Sequence, residues 1–311
     1  MTTAVAPTPD KIRQLFDELS NWGRWGADDE RGALNLITPE KRAQAMGLAR
    51  DGVVVSCALP LPVSPAPDNP TPVQHFMTGA GDIAGQAGPL AATGDYFAIA
   101  PHGMATTHLD ALCHVLLEGK MYNGFDQSEV KSNGAERNSI MAGKDGIVSR
   151  GVLLDIPRLR GVPWLEPGES ISADELSAAA TSQGVEVESG DILLVATGRD
   201  ARRTEHGPWS PGGVGMAGLH TDCLPWLREH DIAVLGSDGI SDAMPSGIEG
   251  WPLPIHQILI PSMGVHLIDN AQLGRLSAAC AEQQRWEFLL ALSPLRLERG
   301  TASPINPLAI F

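Results

Sequence analysis

His108, Asp110 and His114 fall within one short run, His108-Leu109-Asp110-Ala111-Leu112-Cys113-His114. Two imidazoles and a carboxylate suit a borderline ion such as zinc or manganese, and three protein ligands leave a coordination position free for water. In an extended segment residues two apart share a face, so His108 and Asp110 can converge on one ion. If the chain turns helical at Asp110, a step of four brings Asp110 and His114 to one face instead. The alternative is a strand end carrying ordinary polar residues. Nine histidines in 311 residues allow some clustering by chance. An acid set between two of them favours the metal centre.

Such a run needs a scaffold, and helix and strand signals alternate along the chain without a long linker. Asp10 to Leu19 reads as a short helix, and Thr38-Pro39-Glu40 starts another, with Thr38 as cap and Pro39 at the first position. That helix is expected to end near Asp51-Gly52 and to give way to a strand over Val53 to Cys57. Residues 60 to 95, rich in proline and glycine, read as a surface excursion. Tyr96 to Ala100 is expected as a strand leading into the His108 run. Buried strands follow at Val152 to Ile156, Asp191 to Ala196 and Ile232 to Gly236, and further strand signals at Pro254 to Ile260, Val265 to Ile268 and Trp286 to Leu292. Ser172-Ala173-Asp174-Glu175 is a capping box opening a helix to about Gln183, and helices are expected over His220 to Glu229 and near Leu273 to Glu282. The class is α/β. No composition break marks a boundary, so residues 1–311 read as one domain with an N-terminal helical extension.

Charge and composition narrow the partners. Twenty-two Lys and Arg against 37 Asp and Glu give a net charge of −15, which disfavours nucleic acid and anionic membrane surfaces. No apolar run approaches the ~20 residues of a membrane span, and Met1 to Asp10 has no signal-peptide pattern. Cys57, Cys113, Cys223 and Cys280 are scattered without a CxxC pair, as in a reduced, cytoplasmic protein. The expected partners are a small-molecule substrate and further copies of the chain, as a dimer or tetramer. Two rival motifs fail. Gly213-Val214-Gly215-Met216-Ala217-Gly218 matches GxGxxG but lacks the strand that must immediately precede a dinucleotide loop. Gly239-Ile240-Ser241-Asp242-Ala243 approaches the GxSxG elbow but lacks its last glycine.

His108-x-Asp110-x3-His114 resembles the signature of the metal-dependent cyclase family, which includes bacterial kynurenine formamidase and isatin hydrolase. Trp25-Gly26-Ala27-Asp28-Asp29-Glu30 with Gly32-Ala33-Leu34-Asn35 is similar to the opening of its longer members. Ala217-Gly218-Leu219, Leu235-Gly236-Ser237-Asp238, Pro254-Ile255-His256 through Asp269-Asn270, and Ser303 to Phe311 are similar to later segments, in the right order. The resemblance implies a swivelling β/β/α fold and hydrolysis of an amide, lactam, lactone or related carbonyl. It implies His108, Asp110, His114, His256 and Asp269 as ligands of a divalent ion, zinc or manganese. Asp269 stands where formamidases carry a glutamate, and Met104 stands where the family's HxGTH pattern places a histidine four before His108. A thioether is a poor ligand for such ions, so one ion per chain is expected. His102 shares the strand parity of His108 and is open between a ligand and a loop histidine.

The reaction implied is attack by metal-activated water, with His114 either a ligand or the general base and His220, at a helix start bordering the family's site, a substrate contact or proton donor. Trp22, Trp25, Trp209 and Trp251 are open between pocket and core. Phe76, Tyr96, Phe97 and Met104 flank the run, and no Lys or Arg occurs from Gly52 to Gly119, so a compact, ring-containing, weakly polar substrate is expected. Two alternatives stand beside hydrolysis: a metal-dependent cyclase or dehydratase using the same Lewis acid, and a degenerate, non-catalytic metal- or ligand-binding protein.

Overall fold

Nine strands form one mixed sheet in the computed structural model, which describes residues 7–82 and 92–311. The chain start, 1–6, and the middle of the proline- and glycine-rich excursion, 83–91, lie outside the described residues. In chain order the strands are β1 (Val54–Ser56), β2 (His108–Asp110), β3 (Ile147–Asp155), β4 (Ile192–Ala196), β5 (Val234–Ser237), β6 (His266–Asp269), β7 (Glu287–Leu292), β8 (Ala302–Pro304) and β9 (Leu308–Ile310). Across the sheet the order is β1-β9-β7-β3-β4-β5-β6-β2-β8. The central four, β3 to β6, run parallel. Parallel strands are covered on both faces, which explains their unbroken apolar runs: Val152, Leu153 and Leu154, Ile192 to Val195, and Val234 and Leu235 are all buried. The short strand β2 then joins antiparallel to β6, in a register that sets His108 opposite Asp269. This pairing makes two distant sequence segments neighbours.

Local chemistry fixes most helix starts. Thr38 accepts a hydrogen bond from the Lys41 amide with Pro39 in the first turn, and Ser172 and Glu175 form the reciprocal capping box over Ala173–Gln183. The helix from Pro39 ends at Met46, earlier than expected. The amides that follow make tight turn contacts, Leu48 to the Ala45 carbonyl and Ala49 to the Met46 carbonyl, and the Asp51 and Gly52 amides then bond to the Phe311 carbonyl.

Three further expectations change. Pro254 to Ile260 is not a strand: Pro254–Ile258 is helical and Leu259–Met263 forms a π turn. Its first amides are capped from outside, by the carboxylate of Asp242 on Ile255 and His256, a partner no local pattern reveals. Gly94–Ala98 pairs with Gln74–Gly79 in a separate two-stranded hairpin and does not lead into the sheet. Phe76, Tyr96 and Phe97 stand more than half exposed on it, with Phe76 stacked on Tyr96. The helix expected from His220 begins at Cys223. All four cysteines are free and buried, and no described helix is long and apolar enough to cross a membrane.

At the carboxyl ends of β4 and β5, Asp238 accepts from the amides of Thr197, Gly198 and Arg199 and from the Thr197 hydroxyl. Asp200, one step further, has a buried carboxylate oxygen with no hydrogen-bond partner among the described residues. Burial, and then the neighbouring Asp238, push its carboxyl up to about 7 from an ordinary 3.8. A folded-state value above the unfolded one means that ionisation favours unfolding. Its contribution therefore falls as pH rises from about 4 to about 7 and is flat above. Asp200→Asn is expected to stabilise the protein at pH 8 by on the order of 1–4 kcal/mol, with the gain shrinking toward pH 5. Urea unfolding at the two pH values checks this; an equal gain at both would contradict the assignment.

Candidate metal centre

The β2–β6 pairing gathers His102, His108, Asp110, His256 and Asp269 into one buried cluster. In β2 the extended backbone puts His108 and Asp110 on the same side, and the His108 Nε2 lies 3.4 Å from Asp110 Oδ1. From β6, Asp269 brings Oδ2 to 4.0 Å from His108 Nε2 and 3.4 Å from His256 Nε2. His256, on the Pro254–Ile258 helix, lies 3.7 Å from Asp110 Oδ2 through the same nitrogen. His102 approaches from the other side, with Nδ1 3.0 Å from Asp110 Oδ1. Among the described residues, two triads of donor atoms converge in this way: His102, His108 and Asp110, and Asp110, His256 and Asp269. Asp110 belongs to both.

The donor set fits a divalent ion. Around a tetrahedral ion with bonds of about 2.1 Å, neighbouring ligand atoms stand roughly 3.4 Å apart, close to the separations within the cluster. Among the described residues, both oxygens of Asp110, Oδ1 of Asp269 and Nδ1 of His102 are buried and make no well-formed hydrogen bond. The Asp110 oxygens and His102 Nδ1 are met only by the close imidazole–carboxylate contacts of the cluster, an arrangement that a shared cation would satisfy. Each imidazole also has its outer nitrogen tied to the protein. His108 Nδ1 pairs with the Thr106 carbonyl at 2.8 Å, His256 Nδ1 with Asp242 Oδ2 at 2.6 Å, and His102 Nε2 with Thr301 Oγ1 at 3.0 Å. Holding the outer nitrogen fixes ring orientation and tautomer and leaves the inner lone pair for an ion.

Electrostatics follow the same pattern. Burial alone would lower His108, but Asp110 and Asp269 outweigh it and raise the imidazole to about 9. His256 is raised in the same sense, with burial outweighed by Asp269 and Asp242. Asp110 is held well below the carboxylate range, because His102 and His108 outweigh its burial. Protons on these imidazoles occupy the same lone pairs as an ion, so metal binding releases them.

Of the remaining expected residues, His114 belongs to neither triad. A turn follows Asp110, not a helix, with the His114 amide bonded to the Ala111 carbonyl. The His114 ring stacks on His102 at 3.6 Å between centroids. Burial lowers it to about 4, against the pull of Asp110, so it is neutral at pH 7. His220 lies outside the triads, its Nδ1 3.1 Å from Asp222 Oδ1. Met104 supplies only its backbone carbonyl, to Arg199. Trp209 lies under Arg199 and Arg202, Trp251 is buried, and Trp22 bonds to the Pro261 carbonyl. Sequence reasoning missed Asp242 as a support of His256. No spacing signals it, since the two are joined only where the loop after β5 meets the Pro254–Ile258 helix.

Residues 44–242 match the Cyclase family profile. Isatin hydrolase of Roseibium aggregatum is 30% identical over 155 residues, covering 47% of this chain and 54% of that protein. The chain thus matches about half the length of that curated relative. A crystal structure described as a novel cyclase is 31% identical and superposes with a TM-score of 0.86 over 95% of this chain and 99% of the other. An isatin hydrolase bound to the product analogue thioisatinate shares the fold at 20% identity, with a TM-score of 0.60 over 88% of this chain and 98% of its own.

Proposed function

Since the chain belongs to the Cyclase family, we propose that it is a metal-dependent hydrolase opening an amide, lactam or lactone bond of a small ring-containing substrate. The observation that carries this reading is the convergence of unpartnered Asp110 and Asp269 oxygens with three imidazoles held from behind. His108, Asp110, His256 and Asp269 hold one divalent ion, zinc or manganese, and His102 adds a donor beside Asp110 Oδ1. When bound, the ion supplies Lewis acidity, polarising a carbonyl and acidifying water toward ~7. The chain's own residues do the rest. Asp242 keeps the His256 Nδ1 protonated and its Nε2 directed inward. His114, neutral and half-buried beside His102, accepts a proton on a ring nitrogen and returns it to the leaving nitrogen or oxygen. His220, three residues before the Cys223–Glu229 helix, is assigned to substrate contact or proton donation. The similarity to isatin hydrolase favours fused lactams, and formamidase-type anilides share the same flat ring and carbonyl. The protein is proposed to act as a dimer or tetramer in the cytoplasm, where free cysteines persist.

The test is a substrate panel of fused lactams, formylated anilides, lactones and phosphorylated esters, run with Zn²⁺ or Mn²⁺. Ring opening or deformylation with incorporation of solvent oxygen is expected. Turnover without it would favour a cyclase or dehydratase, and bound metal with no turnover a binding protein. Metal analysis is expected to give about one ion per chain. His102→Ala is expected to keep that stoichiometry while weakening the affinity; two ions in the wild type, one lost in the variant, would replace the mononuclear reading by a dinuclear one.

A further inference from the structure

The loop that carries His102 toward Asp110 is held by one residue outside the cluster. Asn270 is fully buried directly after Asp269, in a left-handed conformation with φ 55°. Its Nδ2 donates to the Gly103 carbonyl at 2.8 Å and to the Thr106 carbonyl at 3.1 Å. Its Oδ1 accepts from Arg199 Nη1 at 2.7 Å. Its own carbonyl accepts from the Thr107 hydroxyl at 2.6 Å, and its amide donates to the Gly239 carbonyl at 2.7 Å. The buried Arg199 completes the arrangement by donating to the Met104 carbonyl between the two clamped positions. Three of the four carbonyls between His102 and Thr107 are therefore secured from Asn270 or from its partner. The Thr106 carbonyl also receives the His108 Nδ1, so one bonded atom orients both the loop and a ligand ring.

We propose that Asn270 is a positioning residue of the metal centre: it clamps the Gly103–Thr106 loop so that His102 presents Nδ1 beside Asp110. This rests on the reading of His102 as a donor to the ion. Position 104 offers no imidazole, so the donor must come from further back along the chain. His102 stands eight residues before Asp110, and it meets that carboxylate in a defined geometry only if the intervening loop is fixed. An amide is required at 270 because the side chain donates twice and accepts once; a carboxylate of equal size keeps the Arg199 contact but confronts two carbonyl oxygens with an acceptor.

The experiment measures Mn²⁺ affinity of the full, metal-stripped chain by competition with a chelator, for wild type, Asn270→Asp, His102→Ala and the double variant. Asn270→Gly serves as a second probe, since glycine adopts the left-handed backbone without strain and lacks the clamp. Near-ultraviolet circular dichroism of each metal-free variant establishes that it is folded. Each single variant is expected to bind Mn²⁺ about 10–100-fold more weakly, and the double variant no more weakly than His102→Ala. Wild-type affinity in both Asn270 variants, or a full further loss in the double variant, would overturn the clamp while leaving the His102 assignment intact. Wild-type affinity in His102→Ala would overturn both. A general structural role predicts additive losses, so non-additivity identifies an effect carried through His102.

Discussion

Asp110→Ala is expected to abolish metal retention and to lower turnover by on the order of 10³-fold or more. Asp110 is the one residue shared by both donor triads, and its two oxygens face His102 and His108 on one side and His256 on the other. Removing it takes a negative charge from the proposed cation site, in a largely buried setting where attraction is weakly screened. It also leaves His108 and His102 without the carboxylate that orders them. Metal content after dialysis, read beside activity on the best substrate of the panel, checks the prediction. Asp110→Asn separates charge from shape: it keeps the side-chain volume and is expected to bind metal weakly. An Ala variant that retains a full ion and wild-type turnover would remove Asp110 from the centre.

Gly218→Ala is expected to cost about 3 kcal/mol or more of stability, and to weaken metal binding with it. A Cβ at this position would lie 2.3 Å from the Asp242 carbonyl carbon, 2.4 Å from its oxygen and 2.6 Å from the Ala243 nitrogen. These are backbone atoms and cannot swing aside, so the Asp242 segment must shift. Asp242 is the group that caps the helix of His256 and bonds its ring. The displacement is therefore expected to reach His256, a proposed ligand, although Gly218 lies in neither triad. Urea unfolding of the metal-free protein measures the first effect and chelator competition the second. Loss of stability with unchanged Mn²⁺ affinity would show that His256 is held independently of this contact.

Both predictions depend on how segments far apart in the chain meet, and that division runs through the whole protein. The His108-x-Asp110 spacing was legible because strand alternation is a local property: two residues apart means one face, whatever lies beyond. Thr38, Ser172 and Glu175 were legible for the same reason, since a capping side chain bonds amides two or three positions away. The apolar runs of β3, β4 and β5 announced buried strands because both of their faces are covered, while their parallel pairing came only with the fold. Resemblance, and not spacing, supplied His256 and Asp269, which nothing local ties to position 108.

What the tertiary structure alone decided is which of the candidate imidazoles converge with Asp110 and Asp269. His114 carries the spacing of a ligand, yet a turn after Asp110 stacks it on His102 outside the triads. His102 shares only the strand parity of His108, which left it open between a ligand and a loop histidine, yet Asn270 and Thr301, remote in sequence, hold its segment and its ring beside Asp110. The Pro254–Ile258 helix, apolar enough to read as a strand, is helical because a carboxylate twelve residues before its first turn caps it through space. Local sequence fixes side-chain type, face and capping, because those depend on backbone geometry over a few residues. The register of β2 against β6, and the buried hydrogen bonds that aim each ring, depend on which segments pack together, and only the folded chain determines that.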